Sequence, residues 1–227
     1  MKETVIIWTA LVPFLLLLWL SQRLSGLTGV SGLGLAAVVS AAAVWFPWFG
    51  HPLPFGSASL SANFSVIMVG LLIVAVFDRA FETGIFRARD WRAAWIFGAV
   101  ANVLLYPSAL GLGPQNFDAY ALGWPWLFWG QSVWLFGGAG FAAALLIWSG
   151  NRFGYVVFVA MLGYAAGFQE SDNFWDYLLD PVYGAVSLVM ILWMIWRRRT
   201  SGPLVPTSEG SSGRRFRGEG PVGKVDR

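Results

Sequence analysis

The sequence predicts an all-α polytopic membrane bundle of about seven transmembrane helices, with the N-terminus outside and the C-terminus cytoplasmic. Three observations predict it. The 227 residues are 57% hydrophobic and only 12% charged, whereas soluble domains carry about 25% charged residues. Apolar stretches of about 20 residues recur, each long enough to cross a hydrocarbon core of roughly 30 Å. Of the 15 Lys and Arg residues, all but Lys2 fall on one side when seven spans are threaded, as the positive-inside rule expects.

The seven segments run, in order, over 5–20, 27–46, 60–77, 91–106, 126–148, 153–168 and 178–196. Tryptophans mark many of their ends, among them Trp45, Trp48, Trp91, Trp95, Trp124, Trp126, Trp148, Trp193 and Trp196. Their amphipathic rings favour the headgroup region. Arg23 follows the first segment. Arg79, Arg87, Arg89 and Arg92 lie between the third and fourth, Arg152 between the fifth and sixth, and Arg197, Arg198 and Arg199 after the seventh. These links share one face, so they set the orientation. The first segment is expected to be retained rather than cleaved as a signal peptide, because Met1 to Thr4 is barely positive and no small-x-small site precedes Arg23.

Residues 1–199 read as one helical bundle and 200–227 as a disordered basic cytoplasmic tail, rich in Gly, Ser, Pro and charge. The expected location is a bacterial cytoplasmic (inner) membrane. The formal charge of +3 is dispersed along helix ends and the tail, which argues against nucleic acid as a partner. The lipid bilayer is the expected partner, with other membrane subunits or a homo-oligomer beside it.

Several chemistries are argued against. No cysteine is present and His51 is the only histidine, so a histidine-rich zinc site, a thiolate site or bis-histidine haem cannot be built within the chain. Gly29-Val30-Ser31-Gly32 has the GxSG form of an intramembrane serine protease. Its histidine would have to be His51, twenty residues from Ser31 at the far end of the same segment, roughly 30 Å away along a helix. The lysines Lys2 and Lys224 lie outside the bundle, so a retinal Schiff base has no partner. No cofactor is expected.

Polar residues are costly in a bilayer, and their positions are therefore informative. They gather toward the outer ends: Asn63 and Ser65, Asn102 and Tyr106, Gln131, and Gln169 to Asn173. Asn63, Asn102, Gln131, Glu170 and Asp172 are the candidate substrate- or ion-binding set. Asp172, Asp176 and Asp180 recur every four residues, which on a helix makes one carboxylate stripe. Asp172 is the expected N-cap, and Trp175, Leu178, Leu179 and Val182 the apolar face of a short interfacial helix ending near Pro181. A cation among the stripe would need further oxygen ligands, for which Glu170, Asp118 and Asn116 are the candidates; which metal, if any, is left open. Trp175, Asp176, Tyr177 and Asp180 are the candidate partner-docking residues.

The long apolar link from Pro107 to Tyr120, rich in Gly and Pro, reads as a plain turn-forming link, or else as one that folds back on the bundle or dips partway in as a lid. Asp78, Arg79, Glu82, Arg87, Arg89 and Asp90 are expected to form ion pairs at the inner face. Ala94-x-x-x-Gly98 and Gly163-x-x-x-Gly167, with Gly137, Gly138 and Gly140, are expected to let helices approach closely. The reading favoured is a non-catalytic accessory or assembly subunit of a membrane complex. The alternative is a carrier of a small solute or ion with an outer-facing cavity. A carboxylate-dependent membrane enzyme is third.

Overall fold

The computed structural model describes residues 3–26, 28–48, 51–54, 64–112, 118–125 and 132–200, without the side chains of 3–8 and 132. The described residues are helical, with no strand among them. Each expected segment contains a helix: α1 (Glu3–Ser25), α2 (Gly29–Trp45), α3 (Val66–Phe81), α4 (Ala88–Ala109), α5 (Ser132–Trp148) and α6 (Phe153–Ala165), and, after a short α7 (Phe174–Leu178), the seventh as α8 (Pro181–Thr200). A 3₁₀ turn covers Tyr120–Gly123.

Local chemistry sets the boundaries. Ser65 caps α3 by accepting from the Met68 amide at 3.1 Å. α6 stops three residues earlier than expected, because Gly167 takes a φ of +63°. Phe168 N–H and Gly167 N–H then bond back to Gly163 and Tyr164 at 3.0 Å each, closing the helix with a left-handed glycine. α8 begins at Pro181, not Leu178, and runs through Thr200, which the sequence places in the tail; residues 201–227 lie outside the described residues.

In space α2 packs on α1, α1 on α3, α3 on α6 and α6 on α5. α4 touches α6 and carries α8. Buried carbon is continuous through this arrangement, from Val12 and Leu15 in α1 through Ile67, Val76, Phe153 and Val157 to Phe174 and Leu178. α1 and α2 bury polar groups as well. Thr9, Gln22 and Ser40 are at most 1% exposed, a feature that the apolar pattern of the sequence did not single out.

The links 82–87 and 149–152 are laced together at one end. Asp78 accepts from the amides of Ile85 and Phe86 and from the Thr83 hydroxyl. Asp90, fully buried, accepts from Arg87 N–H at 2.8 Å and Arg152 N–H at 3.1 Å. The Arg152 guanidinium donates to the Gly84 and Ile85 carbonyls, and Arg89 to the Gly150 carbonyl. The expected lattice of ion pairs is replaced by carboxylate-to-amide bonds, with Arg89–Asp90 at 3.7 Å as the ion pair among the described residues. The physical reason is that link amides have no helical partner and must be satisfied.

Among the described residues no helix is at once long and apolar enough to cross a membrane. α2, α3, α5 and α6 have 17, 16, 17 and 13 residues, short of the ~20 that a straight crossing needs. The longer α1, α4 and α8 carry Arg23, then Arg89, Asp90 and Arg92, then Arg197 to Arg199.

Candidate functional site

The polar residues of the opposite end form a connected network around α7. Asp180 is one of its buried members, 1% exposed. One carboxylate oxygen accepts from the Val182 and Tyr183 amides, each at 2.9 Å. Asp180 is therefore the N-cap of α8, with Pro181 at the first helical position where its missing N–H costs nothing. The other oxygen accepts from Ser65 N–H at 2.9 Å and Ser65 Oγ at 2.6 Å. One carboxylate thus joins the N-termini of α3 and α8, whose partial positive charges favour it there.

Asp176 faces the other way. It accepts from Tyr120 OH at 3.2 Å and from the Ser171 hydroxyl. Asn173 caps α7 through the Trp175 amide at 2.9 Å, and its side-chain amide donates to the Tyr120 carbonyl at 3.0 Å. Trp175 Nε1 donates to the Ala119 carbonyl at 2.8 Å. Gln169 donates through its side chain to Phe64 at 2.7 Å. The segment 118–123 is in this way tied onto α7, which favours the fold-back alternative over a plain turn; residues 113–117 lie outside the described residues. Beneath the polar layer, Phe136, Tyr164, Phe174 and Tyr177 pack ring against ring, with centroids 4.9–6.1 Å apart.

This geometry corrects several expectations. The carboxylate stripe does not form: α7 spans only Phe174–Leu178, Leu179 is extended, and Asp172 precedes the helix. Asp172 is exposed, and the N-cap is Asn173. Trp175, Tyr177 and Asp180 are 5%, 1% and 1% exposed, so they hold the chain's own core and offer no outer docking face; Asp176 is half-buried. The binding candidates fall in different settings. Asn102 is half-buried in the α4–α8 contact, against Gly184. Glu170 and Asp172 are exposed in the link between α6 and α7. Asn63 and Gln131 lie outside the described residues, as does Asn116, and Asp118 is turned to the Tyr120 amide at 2.9 Å. Among the described residues no group of three His, Cys, Asp or Glu side chains could hold a metal ion.

The participant that sequence reasoning missed is Tyr120, which sits in an aperiodic link. The Asp180–Pro181 pair did carry a readable signal, an N-cap followed by proline.

Burial raises the Asp176 carboxyl above its ordinary value of 3.8, against the lowering effect of the Ser171 and Tyr120 hydrogen bonds. Burial and then the Asp176 charge push the Tyr120 phenol up to about 12. Both groups hold their proton more tightly folded than unfolded, so both make stability fall as pH rises. For Asp176 the fall begins near its unfolded pKa and ends at the raised folded value. For Tyr120 it runs from 10.0 to about 12. Asp176→Asn is expected to flatten the acid-side slope of the melting temperature and to bring the tyrosinate absorbance of Tyr120 to lower pH. An unchanged tyrosinate titration in the variant would mean that Asp176 does not act on Tyr120.

No protein-family model matches the chain, and neither a curated protein nor a solved structure matches it.

Proposed function

We propose that this chain is a polytopic bundle of the bacterial cytoplasmic membrane and a non-catalytic accessory or assembly subunit of a membrane complex. The observation that carries the reading is how the polar side chains are spent. Asp180, Asn173 and Trp175 are committed to backbone groups of the same chain, which is structural work. The faces left outward are apolar: Val38, Trp134, Phe141, Val189 and Leu192 are 62–81% exposed. In water such faces would cost about 25 cal/mol per Å²; lipid or partner helices would cover them. Helices shorter than the bilayer are accommodated by local thinning and by snorkelling arginines.

The absence of cysteine gives a clean test of orientation. Single cysteines at Glu170 and Asp172 are expected to react with an impermeant maleimide on intact cells. Those at Ser25 and Thr200 are expected to react only after permeabilisation. Equal reaction at all four sites would sink the membrane topology. For the accessory role, native mass spectrometry after gentle extraction is expected to show a stoichiometric partner. A lone chain or a homo-oligomer would favour transport instead.

Transport is the second reading, and one observation favours it: a half-buried carboxylate, Asp176, whose burial favours the protonated form. It requires that Asp176→Asn abolish pH-dependent solute binding while the protein still assembles.

A further inference from the structure

An apolar groove of about 710 Å³ runs along the side of the bundle between α4 and α5, with α7 at one end. It extends from Ala93 to Leu104 on α4 and from Trp134 on α5 to Ser149 just past its end, roughly 17 and 22 Å at the helical rise. Its lining is carbon from Ala, Gly, Leu, Ile, Val, Phe and Trp, with Ser149 as the hydrophilic exception at the arginine-bearing end.

The dimensions choose the occupant. The groove is a slot between two helices, narrower than a third helix about 10–12 Å across. An extended peptide would fit but would bring backbone N–H and C=O groups into a lining that cannot pair them. An extended hydrocarbon chain meets both limits. The length exceeds the roughly 15 Å of one leaflet's hydrocarbon, so the groove accepts a full chain.

Charge marks one end. Arg89 lies one turn before Ala93 on α4, and its guanidinium rests on the Gly150 carbonyl beside Ser149. Its side chain is still 44% exposed. Exposed Arg92 stands one turn before Ile96, another lining residue. A second, smaller groove of about 380 Å³, between α3 and α6, ends on Arg152 at the same end of the bundle. One apolar groove with Arg89 beside its end and a second lined by Arg152, at the same end of the bundle, are the complement of an amphiphile with an anionic head.

We propose that the α4–α5 groove binds one anionic phospholipid from the cytoplasmic leaflet, an acyl chain lying between the helices and the phosphate at Arg89. The proposal rests on the membrane reading above.

The test uses the full chain in mild detergent, with added phosphatidylglycerol or phosphatidylcholine, read by native mass spectrometry. Wild type is expected to retain one phosphatidylglycerol in preference to phosphatidylcholine. Arg89→Gln is expected to reduce that preference about fivefold, the factor that one basic residue contributes near anionic lipid. Gly138→Leu fills the groove where an added Cβ meets nothing within 4 Å. The bundle should therefore fold, and lipid retention should fall for both headgroups. Undiminished retention in Gly138→Leu, or no headgroup preference in wild type, overturns the proposal. Failure of the membrane reading is separable: the chain would then be recovered in the soluble fraction without detergent.

Discussion

Asp180→Ala is expected to destabilise the protein by about 3–5 kcal/mol. Two contributions make it large. Losing the N-cap of α8 costs about 1 kcal/mol. Ser65 N–H and Oγ, which donate to Asp180 at 2.9 and 2.6 Å, are left buried, and each unpaired group costs about 1–3 kcal/mol. The two amide bonds to Val182 and Tyr183 and the two bonds to Ser65 leave different oxygens, so they can be separated. Asp180→Ser keeps a cap for α8 but is too short to reach Ser65, and should recover about 1 kcal/mol of the loss. Asp180→Asn keeps one oxygen and turns an N–H₂ toward donors, so it should fall between wild type and alanine. A cycle with Ser65→Ala, melted in detergent, measures the clamp itself; a coupling below about 0.5 kcal/mol would mean that the two helix starts are independent.

The same residue shows how far the sequence could be read. Asp172, Asp176 and Asp180 have perfect helical spacing, and spacing alone cannot reveal that a helix stops between them. Pro181 decides it. Proline at the first helical position is favourable only if a new helix starts there, which places Asp180 at a cap and Leu179 in extended backbone. Local chemistry overrode periodicity. The direction of the helix starts was harder still. That Ser65 and Asp180, 115 residues apart, would share a carboxylate is a matter of tertiary packing, which no window of sequence contains.

The helices themselves were legible because long apolar runs need no context. Their apolar surfaces look alike, however, so the neighbours were not. Trp175 and Leu178 were readable as one face of α7, but whether that face met lipid, a partner or the chain's own core depends on the link 118–125 lying over it. The structure lays it there, through the Trp175–Ala119 and Asn173–Tyr120 bonds. The arginines around the links 82–87 and 149–152 are plain in the sequence as a charged cluster. Their role in tying those links together is not, since carbonyl acceptors leave no trace in residue type.

Gly98→Leu is the second large effect, expected to cost about 3 kcal/mol, at the upper end for overpacking. A Cβ at Gly98 would stand 2.7 Å from Tyr183 Cζ and 2.9 Å from Ser187 Cβ, closer still to Ser187 Oγ. These contacts belong to α8, whose principal neighbour is α4. The facing side of α4 is Ala94, Gly98 and Asn102, one residue per turn, against Tyr183, Ser187 and Gly184 of α8. Close approach is what brings Tyr183 OH within 2.6 Å of the Ala94 carbonyl, so widening the gap costs that bond as well as dispersion. Such close packing and the Tyr183–Ala94 bond hold the two helices together. Ala94-x-x-x-Gly98 therefore does what its spacing suggests, whereas Gly163-x-x-x-Gly167 does not. Gly167 is the left-handed residue that ends α6, and an added Cβ there meets nothing within 4 Å. The control is Gly137→Leu on α5, where an added Cβ also meets open space; it should leave the melting temperature nearly unchanged. Gly98→Ala combined with Ser187→Gly should lose less than Gly98→Ala alone, because the nearest obstructing side chain is gone. If Gly98→Leu melts with wild type, or if proteolysis at the α7–α8 link is no faster, then α8 is not held on α4 by this contact.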